Sequence, residues 1–278
     1  MPTAVRLLIA LLMLPLLYFW LIHPRLPRRD LSRFSGVDYA HRGLWNAARP
    51  ENSCAAFAAA ASHGYGIELD VRLTADGALV IHHDKSLSRL CGEDIRIERS
   101  RLDRIRACRL GDSGESVPTL TEALAAAKGV PLIVELKPAR GNVFRLCRAV
   151  YAQMRSYPGP WCAESFSPLA MLWFRLRAPE VIRGQLAFSR IRQSKSLPAL
   201  LSRLAAASLL QNALSRPDFV AYEMNEAFPR SLPLRLLARM GTPIAAWTIR
   251  SPEALAACRD RCAMVIFEGF LPEGRPPA

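Results

Sequence analysis

Lysine is scarce in this chain. Lys85, Lys128, Lys137 and Lys195 are the only four, although basic residues outnumber acidic ones 37 to 24 over 278 positions. Arginine therefore supplies most of a formal charge of +13. Such a balance favours anionic partners, whether phosphate esters, acidic lipid surfaces or nucleic acid, without choosing among them. Zinc-finger spacing, an aromatic and basic RNA signature and a helix-turn-helix pattern are all missing, so nucleic acid is not an expected partner. The seven cysteines (Cys54, Cys91, Cys108, Cys147, Cys162, Cys258 and Cys262) are odd in number and scattered. That argues against a disulfide framework and suits a reducing compartment. Cys258 and Cys262 lie four apart, but no second Cys or His pair completes a zinc site. No G-x-G-x-x-G follows the first expected strand, which argues against a dinucleotide-binding sheet.

Long apolar runs are also rare, with one exception. Leu7 to Ile22 reads LLIALLMLPLLYFWLI, with Arg6 before it and His23 after. A spanning helix needs about 20 apolar residues, and Ala4 and Val5 extend the run if Arg6 reaches back to the interface. Tyr18, Phe19 and Trp20 sit at one end as an aromatic belt would. Small residues suited to signal-peptide cleavage are lacking, so residues 1–23 are expected to be an uncleaved, single-pass membrane anchor. Arg25, Arg28, Arg29 and Arg33 follow it, which by the positive-inside rule places the remainder on the cytoplasmic side of a bacterial-type inner membrane. Residues 24–35 form a basic linker, and 36–272 form the main domain.

Within that domain the central stretch is Ile67-Glu68-Leu69-Asp70-Val71. Side chains two apart on a strand share a face, so Glu68 and Asp70 project together. Two buried carboxylates are costly without a cation between them, and a hard divalent ion with oxygen ligands fits. The same alternation also suits a strand with one wet face. Further on, Pro131 to Lys137 is an apolar strand carrying Glu135 and Lys137 at i and i+2, a pattern that serves an ion pair or lines a polar site. His41-Arg42-Gly43 ends a first strand over Val37 to Ala40 and could hold a phosphate. Asp76-Gly77 marks a turn before a strand over Ala78 to Asp84, whose His82 and His83 must face opposite sides. Residues 85–117 read as a polar, arginine-rich insertion.

Beyond it, strands and helices alternate: strands at 161–166, 181–187, 219–223, 243–249 and 263–268, with helices between them, one running from about Leu197 to Leu214. Repeated βα units imply parallel strands, and about eight of them over this length point to a closed (β/α)8 TIM barrel, with an open doubly wound sheet as the competitor. In such a barrel chemistry gathers where the strands end. His41, Glu68, Asp70, His83, Glu135, Lys137, Ser165 and Trp247 all fall at or near those ends.

The order of the pieces resembles the glycerophosphodiester phosphodiesterase family. His41-Arg42-Gly43, Pro50-Glu51-Asn52-Ser53, Glu68-Leu69-Asp70-Val71, Thr74-x-Asp76-Gly77, His83-Asp84, Pro118-Thr119-Leu120, Glu135-Leu136-Lys137, Ser165-Phe166 and Trp247-Thr248 follow in register over about 36–270. The resemblance implies a TIM barrel and metal-dependent hydrolysis of a phosphodiester to glycerol 3-phosphate and an alcohol. It implies Glu68, Asp70 and Glu135 as ligands of Mg²⁺ or Ca²⁺, and His41 and His83 as general acid and base. Arg42 and Lys137 would hold the phosphate, with Glu51 and Trp247 as further site residues.

Two departures stand out. Ile266-Phe267-Glu268 replaces the family's usual Thr-Asp ending, and Arg250 replaces the usual Asn or acid after Trp247-Thr248. Substrates are expected to be glycerophosphodiesters or lysophospholipids, with an anionic membrane surface as a second partner. Arginines over 171–216, interleaved with leucines and alanines, suit either a bilayer-lying helix or an ordinary barrel helix. Two rival functions are a non-catalytic phospholipid-binding barrel and a phospholipase D-like enzyme that releases a cyclic phosphate.

Overall fold

The computed structural model describes residues 3–188, 197–224 and 231–273; side chains are described from Leu11 onward, except those of Pro198 and Ala199. Eight parallel strands close on themselves: β1 (Asp38–His41), β2 (Gly66–Leu73), β4 (Leu132–Leu136), β5 (Trp161–Ser165), β6 (Ile182–Ala187), β7 (Phe219–Glu223), β8 (Ile244–Ile249) and β9 (Met264–Phe267). β1 pairs with both β2 and β9, which seals the barrel. The TIM-barrel expectation is met. One strand departs from it: β3 (Leu79–Ile81) runs antiparallel to β2, with Val71 opposite Ile81 and Leu73 opposite Leu79. The Asp76-Gly77 turn is too short for a crossover, so it folds a hairpin onto β2 rather than adding a barrel strand.

Alternation along the strands sorts the side chains. Ile67, Leu69, Val71, Leu132, Val134 and Leu136 point outward into one buried cluster with Phe57 of α2 (Cys54–Ser62), Leu120 of α5 (Leu120–Ala127) and Leu146 of α6 (Val143–Met154). Tyr39, Ile133, Cys162, Leu186, Phe219, Ala221, Ala245 and Ile266 form a second cluster with Leu31 and Phe34. A side chain on Gly66 would come within 2.6 Å of the Tyr39 ring, so glycine is required where that ring crosses the interior.

Residues 24–36 close the end of the barrel where strands begin. The Arg25 amide donates to Pro217 O at 2.9 Å and the Gly36 amide to Ala263 O at 3.0 Å. The apolar lower layer and this plug close the barrel interior at that end, so the acidic side chains inside the barrel open toward the opposite mouth.

Between β3 and α5, the insertion contains α3 (Ser88–Cys91) and α4 (Leu102–Arg106). It packs a small core of its own from Leu87, Ile95, Ile97, Ile105 and Leu110 against Val80. The helix expected from Leu197 to Leu214 is two: α8 (Leu197–Ala207) and α9 (Asn212–Ser215), separated by a turn in which Leu209 takes a left-handed φ of 60°. Arg190, Arg192 and Lys195, part of the basic stretch at 171–216, lie outside the described residues.

At the amino end, α1 spans Thr3–Ile22. Among the described residues no helix is long and apolar enough to cross a membrane. The last turn of α1 docks on the barrel: Ile22 is fully buried, the Tyr18 hydroxyl donates to Ser208 O at 2.7 Å, and Asn212 Nδ2 donates to Ile22 O at 2.8 Å. Leu11, Leu12, Leu14, Leu16, Leu17 and Trp20 are each more than half exposed.

Candidate active site

Register builds the acidic centre. Asp70 lies across from Glu135, and Glu135 across from Glu164, on three successive parallel strands. Glu68 sits two residues before Asp70 on the same face. Glu68, Asp70 and Glu135 each offer a carboxylate oxygen within 4.8 Å of the others, and all three are buried. Glu68 Oε1 and Glu164 Oε2 are buried with no hydrogen-bond partner. Burial, followed by the Asp70 and Glu135 charges, raises Glu68 well above the usual carboxylate range. Burial likewise pushes Glu135 up to about 7, against the opposing Lys137 charge. Asp70 is the exception: Lys137 and Arg42 overcome its burial and hold it far below the normal value.

Two cations share this pit. Lys137 Nζ lies 2.7 Å from Glu135 Oε1 and 3.1 Å from Asp70 Oδ1. Arg42 Nε is 3.3 Å from Asp70 Oδ2, and its Nη1 donates to Glu51 Oε1 at 2.8 Å. Arg42 adopts a left-handed φ of 59°, which aims its amide at Glu68 Oε2 at 3.1 Å. Gly43 continues that turn at φ 82°, and a side chain there would press within 2.8 Å of the Ala56 backbone. Glu51 reaches the mouth, but its carboxylate is taken up by Arg42 and by Arg89, whose Nη2 donates to Oε1 at 2.6 Å. It therefore positions Arg42 rather than joining the acidic trio. Asn52 holds Asp70 by donating from Nδ2 to Oδ2 at 2.8 Å, while Ser53 caps α2.

A cation belongs with this donor set: hard oxygen ligands, one of them orphaned, converge in a buried space. Glu68, Asp70 and Glu135 would hold it.

The histidines flank the acids. His41 Nε2 lies 3.8 Å from Glu68 Oε2, and its Nδ1 is hydrogen-bonded to Glu268 Oε2. Glu268 Oε1 in turn accepts from Arg250 Nε at 3.1 Å. The two departures from the family pattern thus meet each other and the site histidine. A carboxylate on Nδ1 keeps the proton there, so Nε2 is the nitrogen left to exchange protons with a substrate. Burial keeps His41 below the usual histidine value despite Glu268. His83 Nδ1 contacts Asp84 Oδ1 at 2.8 Å, and Arg72 fixes the backbone by donating from Nε to His83 O at 3.0 Å. Burial brings His83 down to about 4, while Asp70, Lys137 and Arg42 act on it through space. His82 is fully buried and leans on the Asp84 backbone, as alternation requires.

Trp247 packs edge-to-face on Phe166, ring centroids 5.8 Å apart, and Phe166 meets Phe188 at 5.9 Å, forming an aromatic wall. Ser165 is a brace instead: its hydroxyl donates to Leu136 O at 2.7 Å and accepts from the Ser167 amide at 3.0 Å.

Sequence reasoning passed over Glu164 and Arg89. Glu164 had a usable signal, being a lone acid in the apolar strand Trp161-Cys162-Ala163-Glu164-Ser165. Arg89 had none, because its contact with Glu51 depends on the insertion's own fold.

Comparisons with known proteins agree with this geometry. "Probable glycerophosphodiester phosphodiesterase 2" of Mycobacterium tuberculosis is 35% identical over 130 residues, covering 44% of this chain and 49% of the relative. "Lysophospholipase D GDPD1" of Homo sapiens is 29% identical over 133 residues, covering 43% and 41%. The chain spans about half the length of the curated relatives it matches. Among solved structures, an Oleispira antarctica phosphodiesterase in complex with the product sn-glycerol-3-phosphate superposes with a TM-score of 0.66 at 26% identity, covering 84% of this chain and 93% of that one. The match to the glycerophosphoryl diester phosphodiesterase family runs over residues 41–267, and the chain belongs to that family.

Proposed function

We propose that this protein hydrolyses glycerophosphodiesters to glycerol 3-phosphate and an alcohol, with a divalent ion, Mg²⁺ or Ca²⁺, held by Glu68, Asp70 and Glu135. The observation that carries the reading is the juxtaposition of that buried acidic trio with Lys137, Arg42 and His41 Nε2 at one strand-end mouth. The bound ion would offset charge on the phosphoryl oxygens. Lys137 and Arg42 add fixed positive charge where those oxygens must lie. Of the two imidazoles, one accepts the proton of the attacking water and the other delivers one to the departing alkoxide, as the new P–O bond forms and the old one breaks. Glu268 orients His41 for this exchange, and Trp247 and Phe166 wall the pit.

Lysophospholipids are a second substrate class under this reading, supported by the similarity to a lysophospholipase D. Residues 1–23 anchor the protein to a bacterial-type inner membrane with the barrel on the cytoplasmic side, supported by the apolar run and the arginines after it.

The test is hydrolysis of glycerophosphocholine and of a lysophospholipid by the full chain with Mg²⁺, Ca²⁺ or EDTA, beside His41→Ala and Glu68→Gln. Ion-dependent turnover falling by on the order of 10²–10⁴ in both variants supports the reading. Tight lysolipid binding without turnover would instead favour a lipid-binding barrel, and a cyclic product in the phosphorus NMR spectrum would favour the ring-forming reaction. Carbonate extraction of cell membranes, with reporter fusions at the carboxyl end, tests the anchor and its orientation.

A further inference from the structure

A second charged cavity lies at the opposite end of the barrel from the mouth. It occupies about 530 Å³ beneath the starts of β6 and β7, walled by Trp20, His23, Arg25, Arg175, Arg183 and Arg216. That volume suits a small polar headgroup. Four guanidinium groups line it, and the acid that faces them is Asp218, 3.7 Å from Arg183 Nη1 and 3.8 Å from Arg25 Nη1.

Backbone carbonyls hold the arginines in place without cancelling their charge. Arg183 Nε donates to Ser215 O at 2.8 Å, Arg175 Nη1 to Leu214 O at 3.0 Å, and Arg216 Nη1 to Trp20 O at 2.6 Å and His23 O at 2.9 Å. Arg25 Nη1 donates to Pro179 O at 2.9 Å. Arg183 is only 2% exposed, and its Nη1 is buried without a hydrogen-bond partner. Burial, reinforced by the Arg25 and Arg175 charges against Asp218, brings Arg183 down to about 10. Four guanidinium groups against one carboxylate, with a spare donor on the buried Arg183, form a place that an anion would complete.

The rim indicates which anion. The Arg216 guanidinium stacks over the Trp20 ring at 4.7 Å, and Trp20 itself is 64% exposed. Leu16, Leu17, Leu26, Leu176 and Leu214, neighbours in sequence of the lining residues, are large apolar side chains left in solvent. A basic pocket lined by an exposed aromatic ring and Leu26, with exposed Leu16 and Leu17 one helical turn from that ring on α1, matches a phosphate joined to acyl chains better than a free ion.

We propose that this cavity binds the phosphate headgroup of an anionic phospholipid, with the acyl chains lying along the exposed face of α1. The site is separate from the hydrolytic mouth and depends neither on the proposed reaction nor on α1 crossing a bilayer.

Phosphatidic acid is a suitable probe because, as a phosphomonoester, it offers no diester bond to the mouth. Binding of dihexanoyl phosphatidic acid to the full-length protein is measured by calorimetry, beside dihexanoyl phosphatidylcholine and inorganic phosphate. Retention on vesicles of phosphatidic acid in phosphatidylcholine is measured in parallel. The expected result is one site that prefers phosphatidic acid over both comparators at least tenfold. Arg175→Gln combined with Arg216→Gln weakens it at least tenfold, with glycerophosphocholine hydrolysis unchanged. Trp20→Ala, a surface change, weakens vesicle retention in the same direction. Glu68→Gln, which addresses the mouth, leaves binding intact. Equal affinity in the arginine variants, or loss of binding with Glu68→Gln, overturns the proposal. Inorganic phosphate binding as tightly as the lipid overturns the lipid assignment.

Discussion

Glu268 shows how a single carboxylate can be read two ways. In the sequence it is a departure from Thr-Asp at the end of the last strand, and Arg250 a second, unrelated departure. In three dimensions Arg250 and Glu268 bond to each other, and Glu268 bonds to His41. The interaction holds Glu268 down at about 2, because contact with His41 and Arg250 outweighs its burial. Replacing Glu268 by Gln keeps an acceptor for the Nδ1 proton but removes the charge that supports an imidazolium. The expected outcome is a kcat lower by on the order of 10²-fold with KM little changed, and partial recovery in Glu268→Asp. Arg250→Ala, which touches the carboxylate from its exposed side, should cost less than tenfold. Steady-state kinetics on glycerophosphocholine separates the two. The pairing was not legible in the sequence because the His41–Glu268 contact spans 227 residues and comes from barrel closure between β1 and β9, while Arg250 and Glu268, 18 apart, meet only where the neighbouring β8 and β9 end in register. Glu68, Asp70 and Glu135 were legible because strand alternation acts over two residues.

Elements bring such residues together, and β2 does most of the positioning. All eight of its residues are buried. Glu68 and Asp70 face the pit while Ile67, Leu69 and Val71 face the helices, so a change on the outer side tests whether packing holds the inner side in register. Leu69→Ala should destabilise the fold by roughly 2–5 kcal/mol, read as a lower denaturant midpoint, and should also weaken divalent-ion binding, since a relaxed strand moves both carboxylates. Thr119→Ala removes one half of a capping box at the start of α5, where the Thr119 side chain accepts from the Glu122 amide and Glu122 accepts from the Thr119 amide. That change should cost about 1 kcal/mol with ion affinity unchanged. The contrast between the two variants is the informative result. The helix caps and most strand periods were readable locally. The strand over Ala78 to Asp84 was legible as a strand, and the short Asp76-Gly77 turn before it marks β3 as a hairpin partner of β2 rather than the product of a crossover. The break between α8 and α9 was missed because Leu209, a residue with no turn preference, supplies the left-handed position.

For the molecule as a whole, the acidic centre is a local defect that the proposed ion would repair. Glu68, Glu135 and Glu164 are all raised above their ordinary values, burial being the first cause in each case. A carboxyl group whose folded pKa is raised binds its proton more tightly in the folded chain, so it favours folding at low pH and loses that contribution as pH climbs through the folded value. Asp70 works in the opposite sense, but its contribution changes in the acid range and adds little slope above about pH 5. Glu135, pushed up to about 7, therefore loses its contribution between about pH 5 and pH 8, while His41, His82 and His83, all lowered by burial, act in the opposite sense up to about pH 6.5, so the net decline of the ion-free protein is expected above that. From that carboxylate alone the loss is on the order of 2 kcal/mol, several degrees in melting temperature for a chain of this size. A divalent ion binds the deprotonated trio, so Mg²⁺ or Ca²⁺ at about 100 times its dissociation constant should restore roughly 2.7 kcal/mol, and more at pH 8 than at pH 5. Thermal melts across that range, with EDTA and with each ion, measure both slopes. An ion effect that does not grow with pH would mean that Lys137 and Arg42 already neutralise the pit and that no ion is needed for its stability. Glu135→Gln supplies the control: it should flatten the pH slope and remove most of the ion's stabilising effect together, because one carboxylate is responsible for both.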